Sequence, residues 1–282
     1  MMVTGGIERA TRDAVTYAAL TAIAAFCVFP FLWMLDTSLK PAGEVRSINP
    51  TFWILRPTLE NFRHVVTDDN FLLYFRNSVI VAGGSTLLAL TVSIFCGYAL
   101  SRFPTQPLSR TVGAALLLSQ MIPGVLLLAP LYILMRQLEL LSTFRALIIV
   151  YCTFSIPLCC FMLKSFFDTI PMELEDAAEM DGCSRLGFIY RILLPLSAPG
   201  ILATGLFCFV TAWNEFLFGY VLINDDARRP LTPAIMLFKG PHLTDWGALM
   251  AASVLAVVPV ALFFVYLQRF LVEGLSTGAV KG

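Results

Sequence analysis

Apolar positions along the chain do not alternate with polar ones; they gather into six runs, at about 14–35, 78–100, 111–135, 146–163, 200–223 and 247–267. A hydrocarbon core about 30 Å thick needs about 20 apolar residues as a helix. The pattern therefore predicts an all-α integral membrane protein with six transmembrane helices in one transmembrane domain over 1–282. The first run is longer than a signal-peptide core, follows the acids Glu8 and Asp13 and is succeeded by further spans, so it reads as a retained helix. An even number of spans puts both termini on one side. The Lys and Arg count does not choose that side, with nine on the terminal side against ten on the other.

The connections are unequal. The segment 36–77 carries Pro41, Pro57, Phe52, Trp53 and Phe62 and reads as an ordered surface loop with short elements. Those at 101–110 and 136–145 are tight turns, and 224–246 is rich in Pro, Asp and Arg. Prolines at 123, 130, 157 and 259 fall inside the runs, where each removes a backbone donor. They mark either ordinary membrane-helix irregularity or kinked helices lining a path.

Composition sharpens this picture. The 282 residues are 58% hydrophobic and 13% charged, with a mean hydropathy of +0.79, against about 45–50% and about 25% in soluble domains. A chain this apolar cannot cover a water-facing surface. With 19 basic and 19 acidic side chains the net charge is zero, so no general basic field recruits nucleic acid. No C-x-x-C pair, H-E-x-x-H helix, P-loop or G-x-S-x-G elbow is present, so no catalytic residue, metal site or cofactor of the chain's own is expected. The seven cysteines read as small apolar packers.

The segment 164–199 holds six of the nineteen acids. Pro171 suits a first helical position and Glu173, Glu175 and Asp176 complement a helix N-terminus, while Gly182 is a natural stop. Leu174, Ala177, Ala178 and Asp181 share a face by the i, i+3, i+4, i+7 rule, a narrow stripe suited to close docking. A second helix with Leu186, Ile189 and Leu193 follows and is expected to end at Pro195. An amphipathic hairpin on the membrane surface would be basic on its polar face, which this one is not.

These residues carry a resemblance. Asp176-Ala177-Ala178, then Gly182, then Ile192, Leu194 and Pro195 resemble in spacing the EAA loop of permease subunits of ATP-binding-cassette importers, with Asp176 in place of the family's glutamate and Glu175 beside it. Trp213-Asn214-Glu215-Phe216, RPLTPAI at 229–235 and the ending Gly278-Ala279-Val280-Lys281-Gly282 are similar to the carbohydrate-uptake branch, the smaller six-helix permease of the maltose and glycerol-phosphate type. The resemblance implies a type I importer permease fold whose coupling loop, 164–199, is cytoplasmic. Glu175, Asp176, Ala177, Ala178, Asp181 and Gly182 would then meet an ATPase, and the tail Gly278, Ala279, Val280, Lys281 and Gly282 would reach it too. It also implies a bacterial or archaeal plasma membrane location with both termini inside, and loops 36–77 and 224–246 facing an extracytoplasmic solute-binding protein. The partners are that protein, a second permease, two ATPase subunits that bind ATP and Mg, and membrane lipid.

An ion-coupled secondary transporter would need ionisable groups at mid-membrane, and only Glu215 qualifies. An intramembrane enzyme lacks paired catalytic residues. Gln120, Trp213, Asn214 and Glu215 are the candidates for the translocation path; Glu215 is either a structural or gating group between helices or a direct solute contact. The six runs contain no Lys or Arg but supply aromatic and hydroxyl groups, which suits a neutral mono- or oligosaccharide better than glycerol phosphate.

Overall fold

The computed structural model describes residues 4–47, 51–67, 70–240 and 244–279, with side chains from 12 to 266. In chain order the helices are α1 (Thr4–Ser38), α2 (Ala42–Val45), α3 (Glu60–Thr67), α4 (Phe71–Arg102), α5 (Pro107–Gln120), α6 (Leu128–Gln137) and α7 (Phe144–Asp168). They continue with α8 (Glu173–Met180), α9 (Arg185–Phe188), α10 (Leu194–Leu196), α11 (Ala198–Asn214), α12 (Leu217–Leu222), α13 (Leu231–Ala234) and α14 (Trp246–Ala279). Among the described residues no strand forms, only an isolated bridge between Lys239 and Thr244.

Four of the expected spans are single helices. Within α1, α4, α7 and α14 lie stretches long and apolar enough to cross a membrane. The third is not one rod. Its halves, 107–120 and 124–137, meet at an angle of 97°. Pro123 at the break has no N–H to continue the ladder, and a 3₁₀ turn at Gly124–Leu127 starts the second half. Pro130 falls in the first turn of α6, where a donor is not needed, and Pro157 and Pro259 lie within continuous helices. The fifth span also breaks: Glu215 is extended between α11 and α12.

The second loop helix does not end at Pro195. It runs from Arg185 to Leu196 through a π turn at Ile189–Leu193, where Leu194 N–H bonds Ile189 C=O, and Pro195 rides just beyond that wider turn. Only at Ser197 does the direction change, by 81°, into α11.

The chain divides into two compact units, 1–71 with 235–257 and 72–234 with 258–282. In the first, the apolar stretch of α1 is exposed throughout, as suits a lipid-facing helix. Asn61 of α3 caps its end: the side-chain amide donates to the last α1 carbonyl, Ser38 O, and to Lys40 O just beyond it, at 2.8 Å each. A Cβ on Gly247 would lie 2.6 Å from Asn61 Oδ1, so only glycine lets the start of α14 approach this closely. Lys40 is buried, paired with Asp36 and set over the Trp33 ring at 5.3 Å.

In the second unit, α7 is the central helix, buried along much of its length and packed by α5, α11 and α12. Against it α4 lays Ser85, Ala89, Ser93 and Gly97, four small buried residues at a spacing of four. A Cβ at Gly97 would stand 3.1 Å from Cys160 O and 3.2 Å from Leu163 Cβ. Such a stripe lets two membrane helices pack backbone to backbone. Cys152, Cys159 and Cys208 fill the same core with Ala89.

Candidate functional site

Helix α8 ends as its sequence requires. Gly182 takes φ +77°, its N–H bonds Glu179 C=O at 2.9 Å, and Cys183 N–H bonds Ala178 C=O at 2.9 Å. This is the Schellman closure, which a left-handed glycine provides without a steric penalty.

The acidic stripe divides. Ala178 turns into the chain's own core, 7% exposed among Leu163, Phe167, Phe188 and Leu193. The reading of Ala178 as part of an outward docking face is therefore corrected: the helix is only eight residues long and needs one small side chain to seat it. Asp176, Ala177, Asp181 and Gly182 remain exposed. Glu175 also turns inward. Its carboxylate accepts from the Tyr98 hydroxyl and pairs with Arg102 Nε at 3.1 Å, while Arg102 Nη2 donates to Ile170 O at 3.1 Å. The Arg102 side chain is 4% exposed, so this pair is desolvated and breaking it leaves a buried charge. Of the two adjacent carboxylates, Asp176 faces out and Glu175 is held by α4. Sequence reasoning missed Tyr98 and Arg102, which sit at the end of a span where an Arg reads as an interfacial anchor.

The two broken spans meet around a second feature, a cavity of about 330 Å³. Gly124 and Val125 line it from the first break, and Glu215, Leu217 and Phe218 from the second. Tyr151, Phe154 and Ser155 of α7 and Thr211 of α11 complete the polar and aromatic wall. Phe154 and Phe218 lie 5.2 Å apart between ring centroids. Glu215 accepts from Phe218 N–H at 2.9 Å and Gly219 N–H at 3.0 Å, so its carboxylate caps the N-terminus of α12. The buried Tyr151 hydroxyl is set against the Glu215 carboxylate as a hydrogen-bonding partner, and the buried Ser155 hydroxyl lies beside Cys208. Irregular backbone at membrane depth is tolerated where it lines such a cavity.

Of the four path candidates, only Glu215 lines this cavity. Gln120 is nearby and donates to Phe154 O at 3.5 Å. Trp213 is buried between Phe75 and Phe209, and Asn214 is exposed. Tyr151, Phe154, Ser155 and Phe218 join the site because α7 and α12 converge there, which linear spacing does not reveal. In the tail, Val280, Lys281 and Gly282 lie outside the described residues; Gly278 and Ala279 are described in backbone only, within α14.

Residues 89–277 match the family described as binding-protein-dependent transport system inner membrane component. The chain belongs to that family. It is 39% identical over 256 residues to the sulfoquinovosyl glycerol transport system permease protein SmoH of Agrobacterium fabrum, covering 90% of this chain and 89% of that one. It is 35% identical to the diacetylchitobiose uptake system permease protein DasC of Streptomyces coelicolor, over 93% and 96% of the two chains. The trehalose/maltose transport system permease protein MalG of Thermococcus litoralis is also 35% identical, over 92% and 94%. In fold the chain is similar to a subunit of a bacterial ABC transporter that imports the acidic polysaccharide alginate, with a TM-score of 0.78 at 19% identity over 93% and 97%. This permease of an ABC importer is thus a multi-pass membrane transport subunit, and the self-sufficient ion-coupled alternative gives way to a binding-protein-dependent one.

Proposed function

We propose that this permease forms, with a second permease, the path for a neutral mono- or oligosaccharide, fed by an extracytoplasmic binding protein and driven by two separate ATPase subunits. ATP and Mg are bound by those subunits, and this chain holds no cofactor. The observation that carries the solute class is the cavity at the two helix breaks. It offers aromatic faces from Tyr151, Phe154 and Phe218 with the hydroxyls of Ser155 and Thr211, and among the described residues no Lys or Arg lines it. A phosphate ester would need a cation there to offset its desolvation. Relatives named for diacetylchitobiose and for trehalose and maltose agree with this class, while one named for sulfoquinovosyl glycerol and the alginate importer mark the anionic sugars that the test must include. The exposed edge of α8, with Asp176, Ala177 and Asp181, is the ATPase contact, and both termini are cytoplasmic in a bacterial or archaeal plasma membrane.

The test is calorimetric titration of the cognate binding protein with neutral sugars, neutral and acidic oligosaccharides, sugar phosphates and sugar sulfonates, followed by ATPase stimulation in the reconstituted complex. Stimulation by a neutral sugar is expected; tight binding and stimulation by an anionic sugar alone would overturn the solute class. For orientation, a cysteine at Asp226 in a cysteine-free chain should label from outside intact cells, and one at Ser184 only after permeabilisation.

A further inference from the structure

The geometry points to α4 as a transmission rod with a polar joint at each end, Asn77 and Ser78 outside and Tyr98 and Arg102 inside, linking the loop at 227–231 to the coupling helix α8. This rests on the reading above that α8 meets the ATPase and that the fifth loop faces the binding protein.

At the outer end Asn77 is fully buried. Its amide donates to Ala227 O and Arg229 O at 3.0 Å each, and Ser78 Oγ accepts from Leu231 N–H at 2.8 Å. Three backbone groups of one loop are thus held by two adjacent residues of α4. At the inner end Tyr98 and Arg102, one turn apart, hold the Glu175 carboxylate, and Arg102 also holds Ile170 O just before α8. Among the described residues this is the one ion pair joining α8 to another helix.

Between the joints α4 is unbroken and contains no proline. The 25 residue steps from Asn77 to Arg102 span about 38 Å at 1.5 Å per step, enough to connect the two membrane faces. Its flank against α7 is the small-residue stripe Ser85, Ala89, Ser93 and Gly97, tied to α7 where Cys152 Sγ donates to Ser85 O and Ser93 Oγ to Ile156 O at 3.4 Å each, so α4 is backed along its length and a displacement at one end is carried to the other as a rigid body. By contrast the third and fifth spans are broken and cannot carry a displacement along their axes as one body. Asn77 and Arg102 are therefore positioning residues for coupling, and contact neither nucleotide nor solute.

Joints in series make a specific demand: damaging either one interrupts the same line, so damaging both is no worse than damaging one. Independent structural defects would instead multiply. The measurement is ATPase activity of the complete transporter in lipid nanodiscs, with and without loaded binding protein, for Asn77→Ala, Arg102→Gln and the double variant. Each single variant should keep basal hydrolysis and lose at least five-fold in stimulation, and the double variant should match the weaker single one. Stimulation within two-fold of wild type in the singles, or a double defect equal to their product, overturns the rod. Should a variant fail to assemble, Ser78→Ala and Tyr98→Phe, each removing one hydroxyl, carry the same cycle with the same two outcomes deciding it. Cross-linking of Asp176→Cys to the ATPase and of Asp226→Cys to the binding protein, in otherwise unaltered complexes, tests the underlying docking reading separately.

Discussion

Gly182 offers a perturbation whose magnitude follows from the backbone alone. It sits at φ +77°, and a Cβ built there meets nothing within 4 Å. A substitution at this position therefore costs conformational strain and no clash. For an L residue the left-handed region costs about 1 to 2 kcal/mol, a factor of about 5 to 30 in a local equilibrium. The cost falls on the Schellman closure, in which Cys183 and Gly182 donate back to Ala178 and Glu179. Hydrogen exchange followed by mass spectrometry over peptides spanning 178–188 of the purified transporter reads it directly. Gly182→Ala should speed exchange of these amides about 5- to 30-fold. Gly182→Asn should change it less, because asparagine tolerates this conformation, and Gly182→Val more, because a β-branched residue resists it. Gly182→Val should also abolish solute-stimulated ATP hydrolysis while the chain still inserts. Exchange in Gly182→Ala within two-fold of wild type, or an order that follows side-chain volume with asparagine worse than alanine, would refute the strain argument.

Ala177→Trp and Ala178→Trp should act oppositely. The buried Ala178 site is overfilled at about 1 to 3 kcal/mol, lowering the thermal midpoint of the permease pair purified without ATPase, whereas Ala177→Trp should leave that midpoint unchanged and weaken ATPase association; equal midpoints would contradict the inward turn of Ala178. Glu215→Ala removes two charge-assisted backbone bonds worth about 1.5 to 3 kcal/mol each, so the thermal midpoint and transport should both fall, and Glu215→Gln, which keeps an acceptor oxygen, should recover most of the loss in midpoint. Gly97→Val should destabilise by about 1 to 3 kcal/mol by forcing α4 from α7, visible in the same thermal assay, with Gly97→Ala milder because its Cβ meets Cys160 O and Leu163 Cβ at 3.1 and 3.2 Å.

The sequence pattern located the apolar segments well because a bilayer demands long runs without regard to their internal geometry. It did not distinguish a straight span from a broken one. Pro123 and Pro157 look alike in the sequence, each inside an apolar run, yet the chain bends by 97° at the break that holds Pro123 and stays helical through Pro157. The difference lies in what surrounds them. Pro157 is buried in the central helix α7, whereas Pro123 is exposed, next to Gly124 and Val125, which line the cavity. The π turn before Pro195 is a further case: the rule that proline ends a helix holds only when no extra residue is accommodated upstream.

For the site, helical spacing placed Ala177, Ala178 and Asp181 on one stripe, and periodicity alone says that such a stripe faces something. It does not say whether that something is a partner or the chain itself. Here the stripe is shared: Ala178 and Glu175 look inward, and Asp176, Ala177 and Asp181 look outward. Two adjacent carboxylates that look alike in the sequence thus stand in different surroundings. Glu175 is committed to a buried arginine, so its charge serves to fix α8 to α4, and replacing it would cost the chain its own anchor before it cost any partner a contact. Asp176 carries its charge into solvent, where it can pair with a basic residue of another subunit at little desolvation cost. On the proposed docking of α8, a comparison of Glu175→Gln with Asp176→Asn separates anchoring from contact: the first should lower the thermal midpoint of the permease pair purified without ATPase, the second only its hold on the ATPase.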